Sequence, residues 1–188
     1  MALTEARILE CTDEELFELL GLELTSHFPD GEGDTDEDLD TFVANLATLP
    51  VGLRAMASIY QLDVSLALDD LGWHFANWHH KGYCEETLRG LRELEANEAA
   101  DIFEAAFKLA QKHWDKIGEL VATDFDRFAE WYSDSKLEEA TMPLTRRLWE
   151  IYGEGSGREN GLLDLWVPYA RKWPGRVVAS GASDDLSQ

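Results

Sequence analysis

Apolar residues in this chain recur three and four positions apart, and no run of β-branched residues alternates with polar ones. A period near 3.6 belongs to helices that bury one face, and a period of two to half-buried strands. Only the first is present, so the sequence predicts an all-α protein. The longest amphipathic pattern is Ile102, Phe103, Ala106, Phe107, Ala110, Trp114, Ile117 and Val121. Thr4 caps a short helix through Glu10. Thr12-Asp13-Glu14-Glu15 is a capping box that opens a helix to about Ser26, with Leu16, Phe17, Leu19 and Leu20 on its apolar face. Pro29, Gly31 and Gly33 make His27–Asp34 a loop. Thr35-Asp36-Glu37-Asp38 opens the next helix, which carries Leu39, Phe42, Val43 and Leu46.

Pro50 suits the first turn of a helix that runs towards Asp70. Gly72 interrupts the pattern, and Trp73–His79 reads as a short helix or a kinked continuation. Leu88, Leu91 and Leu94 mark a further helix, with Asn97 able to adopt a left-handed conformation at its end. Asp124–Tyr132, Pro143–Tyr152 and Leu162–Trp173 complete the set, with Gly153–Gly161 as a linker and Pro174-Gly175 as a stop. The expectation is a single all-helical domain of about seven or eight helices over residues 1–178. The small, polar residues 179–188 read as a disordered tail. At 188 residues, one domain with a sizeable core suffices.

Aromatic density peaks in Leu71-Gly72-Trp73-His74-Phe75-Ala76-Asn77-Trp78-His79-His80-Lys81-Gly82-Tyr83, bracketed by two glycines. A Leu-rich stretch, Leu88–Leu94, and an Ala/Phe-rich one, Ala99–Ala110, follow it. This succession over about Val51–His113 resembles a family of small acidic all-helical bacterial domains of unknown function that includes a DNA-mimic protein. Leu71 stands where the family pattern has a first Gly, and His79 near an Asn. The motif is one of fold and brings no catalytic residues with it. The resemblance implies an acidic helical homodimer, and a relative that presents carboxylates in place of DNA phosphates to a DNA-binding protein.

Charge points the same way independently. The formal net charge is −22, from 38 acids and 16 bases. Residues 1–70 carry 17 acids and two bases, and no Lys or Arg lies between Arg7 and Arg54, where thirteen acids occur. Such a surface repels nucleic acid and anionic lipid and attracts basic partners. Asp13, Glu14, Glu15, Asp36, Glu37 and Asp38 occupy first helical turns, where the macrodipole favours anions. Glu10, Glu18, Glu23, Asp30, Glu32, Asp34 and Asp40 have no such reason. Glu14/Glu18 and Asp36/Asp40 lie four apart, a like-charge spacing that costs about 0.2–0.5 kcal/mol per pair. Glu18, Glu23, Asp30, Glu32, Asp34, Asp36 and Asp40 are therefore the candidate partner-binding carboxylates, and the partner expected is a basic, DNA-binding protein. Salt adaptation or plain solubility would also make a chain acidic.

Other chemistries find weaker footing. An EF-hand loop from Asp30 would need Gly where Thr35 stands and Glu where Thr41 stands. His74, His79, His80, Cys84 and His113 match no zinc spacing. They leave a small enzyme or metal-binding protein built on the His74–Cys84 region as the alternative function. Neither a Gly-x-Ser-x-Gly elbow nor a phosphate loop is present. No catalytic residue, metal site or cofactor is expected, and the reading is non-enzymatic. Two cysteines, Cys11 and Cys84, suit reduced thiols. The longest charge-free stretch of the first half, Thr41–Leu53, is too short to span a membrane. A cytoplasmic protein is expected.

Overall fold

The computed structural model describes residues 3–27, 36–153 and 156–179. Among them are eleven α-helices, two 3-10 turns and no strand. The helices are α1 (Glu5–Glu10), α2 (Asp13–His27), α3 (Asp36–Leu46), α4 (Val51–Leu68), α5 (Leu71–Asn77), α6 (Lys81–Glu93), α7 (Asn97–Gln111), α8 (Trp114–Thr123), α9 (Phe125–Tyr132), α10 (Lys136–Tyr152) and α11 (Trp166–Lys172). The 3-10 turns are Gly161–Leu165 and Pro174–Arg176. The all-α expectation holds, whereas seven or eight helices is too few. The expected tail lies almost wholly outside the described residues.

The additional ends have physical causes. The apolar pattern from Ile102 to Val121 is not one helix. His113 N–H bonds back to Ala110 O at 2.9 Å, an i−3 tightening that closes α7 and lets α8 start in a new direction. Periodicity cannot report that bend, because Phe107 and Ala110 before it and Trp114 and Ile117 after it are all buried. α10 starts at Lys136 rather than Pro143: Ser135 Oγ accepts Glu138 N–H at 3.0 Å, and Pro143 rides inside the helix. Gly82 likewise sits inside α6, which His80 caps through Nδ1 to Tyr83 N–H at 3.0 Å. The left-handed residue after α6 is Glu95 (φ 63°) rather than Asn97, which begins α7. Ala96 N–H to Leu91 O and Glu95 N–H to Arg92 O make it a Schellman ending.

α4 is the central element, packed against α6 and against α2, α3, α5 and α11. α7 lies between α6 and α10. Met56, Ile59, Leu62, Phe75, Tyr83 and Phe103 are fully buried at their meeting. Two glycines permit this closeness. A Cβ at Gly90 would stand 2.1 Å from Ser58 Oγ and 2.8 Å from Ala55 O of α4. A Cβ at Gly72 would stand 2.1 Å from the Tyr132 hydroxyl. Asp70 caps α5, its Oδ1 accepting Gly72 N–H at 2.7 Å and Trp73 N–H at 3.2 Å, and it also accepts the Tyr132 hydroxyl at 2.8 Å. The aromatic stretch is thus a tight corner between α4 and α5, not a kinked continuation.

Candidate functional site

The capping box forms as the sequence predicts. Thr12 Oγ1 accepts Glu15 N–H at 3.2 Å, and Glu15 Oε2 accepts Thr12 N–H at 2.8 Å. The bonds from Thr12 hold the Glu15 carboxyl below the usual range. Leu16, Leu20 and Leu24 bury one face of α2 against α11 and α4. Arg171 of α11 pins the start of α2: it donates to Asp13 Oδ1 at 2.9 Å and to the carbonyls of Ile8 and Cys11.

Glu14 and Glu18 remain. Four residues apart, they lie within about 40° of each other around α2, with Cβ atoms about 5–6 Å apart. Both are exposed. Among the described residues, the ion pair of Arg171 with Asp13 is the single one that brings a Lys or Arg to an acid of α1, α2 or α3. Elsewhere many of the bases pair locally: Arg54 and Arg89 with Glu86, Arg92 with Asp101, Lys108 with Glu104, Lys116 with Glu119, Arg147 with Glu98 and Glu150, Lys172 with Glu95, and Arg176 with Glu93. Acids without a Lys or Arg partner among the described residues thus include Glu14 and Glu18 on α2 and also Asp115, Asp126, Glu130 and Glu139 on α8–α10; the N-terminal helices differ in carrying a single Lys or Arg, Arg7.

The other candidate carboxylates are placed unevenly. Glu23 is about 140° around α2 from Glu18 by helical geometry, and it pairs with His27 at 3.6 Å. The two do not share a face. Asp40 is exposed, but its Oδ1 accepts His80 Nε2–H at 2.8 Å, which ties α3 to the start of α6. Asp30, Glu32 and Asp34 lie outside the described residues, as does the Asp36 side chain, and the calcium-like loop falls there too.

The histidine and cysteine residues take structural work. His74 is fully buried, its Nδ1 2.9 Å from Ser65 Oγ, and burial drives its imidazole down to about 3. It is a neutral core residue. Burial pushes the Cys84 thiol far up, leaving it protonated and unsuited as a nucleophile. His79 stacks on Trp114 at 4.1 Å and bonds its carbonyl at 2.9 Å. No group of three or more potential metal ligands occurs among the described residues. A larger cavity, about 940 Å³, lies between the end of α4 and the Gly161–Leu165 turn. Of its four carboxylates, Asp70 caps α5 and Asp63 Oδ1 accepts Leu162 N–H at 2.7 Å, while Asp69 and Glu159 are exposed at its rim.

Aromatics beside the carboxylates are what sequence reasoning missed. Phe17 and Phe42, assigned to apolar faces, are only partly covered. With Gly21, Tyr60, Leu163 and Trp166 they line a groove of about 470 Å³. Phe17 stacks on Trp166 with centroids 5.7 Å apart. A glycine in mid-helix was the available signal. Trp114 and Trp166 are buried, whereas Trp173, just past the end of α11, is exposed.

Among the described residues, no helix is long and apolar enough to cross a membrane. A family model described as DMP19-like protein matches residues 47–167, more than half of the chain. The matched span contains the Leu71–Tyr83 corner and begins after α3, so Glu14, Glu18 and Asp40 precede it. No curated protein and no solved structure matches.

Proposed function

The chain belongs to the DMP19-like protein family, a DNA-mimic family, and from that premise we propose that it is a non-enzymatic interaction protein whose carboxylates bind and inhibit a basic DNA-binding protein. The observation that carries the reading is the scarcity of bases on α1–α3, where Arg7 is the one Lys or Arg, with Glu14 and Glu18 in a row along α2. Arg and Lys side chains that grip a phosphate row meet here a row of carboxylates on a rigid helix. The site comprises Glu14 and Glu18 together with Asp30, Glu32, Asp34, Asp36 and Asp40. Glu23, on another face, contributes to the general field. A chain acidic only for salt adaptation would spread its bases evenly, whereas here fourteen of the sixteen lie beyond residue 70. We propose a cytoplasmic homodimer, with exposed Leu22 and Leu68 among the apolar side chains available to an interface.

The test is capture of DNA-binding proteins from the native host at low salt, followed by competition with duplex DNA. The captured protein should leave steeply between 50 and 200 mM salt, and DNA should displace it, since both occupy one cationic groove. Neutralising Glu14, Glu18, Asp30, Glu32 and Asp34 to Gln or Asn should weaken capture and flatten the salt slope. Five neutralisations among Glu130, Glu138, Glu139, Glu150 and Glu159 should do much less. Equal losses from both sets, or none from either, refute a localised mimic surface.

A further inference from the structure

The groove beside the carboxylates has a composition that charge mimicry alone does not require. Phe17, Phe42, Tyr60, Leu163 and Trp166 give it apolar walls, and its lining contains no Lys or Arg. Gly21 forms part of the α2 wall. Unlike Gly72 and Gly90, it has no atom of the described residues within 4 Å of where a Cβ would stand. A mid-helix glycine without a packing reason sacrifices helix stability relative to alanine; here it keeps the groove open. Trp166 is buried, yet its indole Nε1 has no hydrogen-bond partner among the described residues. Tyr60 stands 45% exposed at the groove. Around α2, Gly21 and Thr25 lie on the same stripe as Glu14 and Glu18, so the uncompensated carboxylates border the opening.

We propose that this groove receives an apolar side chain of the basic partner, carried on a helix whose Lys and Arg residues engage the bordering carboxylates. The proposal rests on the mimic-surface reading and adds the feature that DNA itself lacks: an apolar pocket that gives the partner a reason to prefer this protein over any polyanion. Charge selects the occupant. A second copy of this chain would set an equally acidic α2 against these carboxylates, so the proposed dimer forms through another face, and the chain's own residues 180–188 bring two aspartates and no base. Both are repelled by the same carboxylates that attract a basic helix.

The probe is a pair of synthetic 20-residue helical peptides. Both carry Lys along one face; one has two leucines a turn apart on the other face, and its twin has serines there. Affinities are read by calorimetry at 50 and 200 mM salt. The wild-type protein should bind the leucine peptide about tenfold more tightly than the serine peptide, the scale of one buried large apolar side chain. Gly21→Leu fills the groove without touching a charge, and it should erase that preference while keeping the salt dependence. Its unfolding midpoint should hold or rise, which excludes misfolding as the cause. Glu14→Gln with Glu18→Gln should do the reverse, keeping the preference and flattening the salt slope. Equal binding of both peptides with steep salt dependence overturns the groove and leaves the acidic surface standing. Absence of binding by either peptide at 50 mM salt overturns both. Loss of self-association on Gly21→Leu, seen by light scattering, assigns the groove to a second copy and overturns the proposal.

Discussion

Replacing Gly72 by Ala strikes the corner on which α4, α5 and α9 meet. The new methyl would stand 2.1 Å from the Tyr132 hydroxyl, 2.2 Å from Cζ and 2.4 Å from Cε2, so the ring must move by more than an ångström. Tyr132 is buried and stacks on Phe128 at 5.4 Å, and Trp73 meets it edge-on at 6.4 Å. Overpacking of this kind costs about 1–3 kcal/mol. Moving the ring also removes its 2.8 Å bond to the buried carboxylate of Asp70, worth about 1.5–3 kcal/mol for a charged acceptor. Against this, Ala in place of Gly stabilises a helix by about 0.5–1 kcal/mol. The expected net loss is about 3 kcal/mol, read as a lowered urea midpoint at 222 nm with unchanged slope. The control is the same substitution in a Tyr132→Leu background, where the colliding atoms are gone. There Gly72→Ala should cost nothing or stabilise slightly. A loss below about 1 kcal/mol in the wild type, or equal losses in both backgrounds, refutes the steric argument.

His74 gives a pH signature. Its folded value near 3 lies below the unfolded value near 6.5, so its contribution is complete above 6.5 and is lost as pH falls towards 3. Urea unfolding of the wild type should lose about 2 kcal/mol more between pH 7 and pH 5 than His74→Gln does; parallel losses would contradict a neutral buried ring. In native protein a thiol reagent should modify half-buried Cys11 and spare Cys84 until denaturant is added; two fast thiols would disprove the burial. Circular dichroism should match a structure 80% helical among its described residues, and a strand signal would overturn the fold. Light scattering should return twice 21.3 kDa, with association strengthened by salt as self-repulsion is screened; one chain's mass at every salt concentration refutes the dimer.

Local chemistry determined a good deal from the sequence alone. The 3.6 period identified an all-α chain, because a buried helical stripe writes itself into consecutive residues. The Thr12–Glu15 box and the break before Leu71 were legible for the same reason: caps and corners are made by neighbours. So was the charge asymmetry, and the succession from Gly72 to Ala110 was enough to suggest the family.

What the sequence left open depends on residues far apart in the chain. The bend at His113 was hidden because the apolar stripe continues through it, from Phe107 and Ala110 to Trp114 and Ile117. Arg171 claims Asp13 from 158 positions away, and His80 claims Asp40 from 40, so which carboxylates stay unpartnered was decided by packing. His74 and Cys84 matched no site spacing and stood only as the alternative function; the core shows that burial keeps both neutral. The groove joins Phe17, Phe42, Tyr60 and Trp166 from four separate elements. A helical period tells which face of a helix is apolar, but whether that face is covered or left open is settled by the helices that arrive against it.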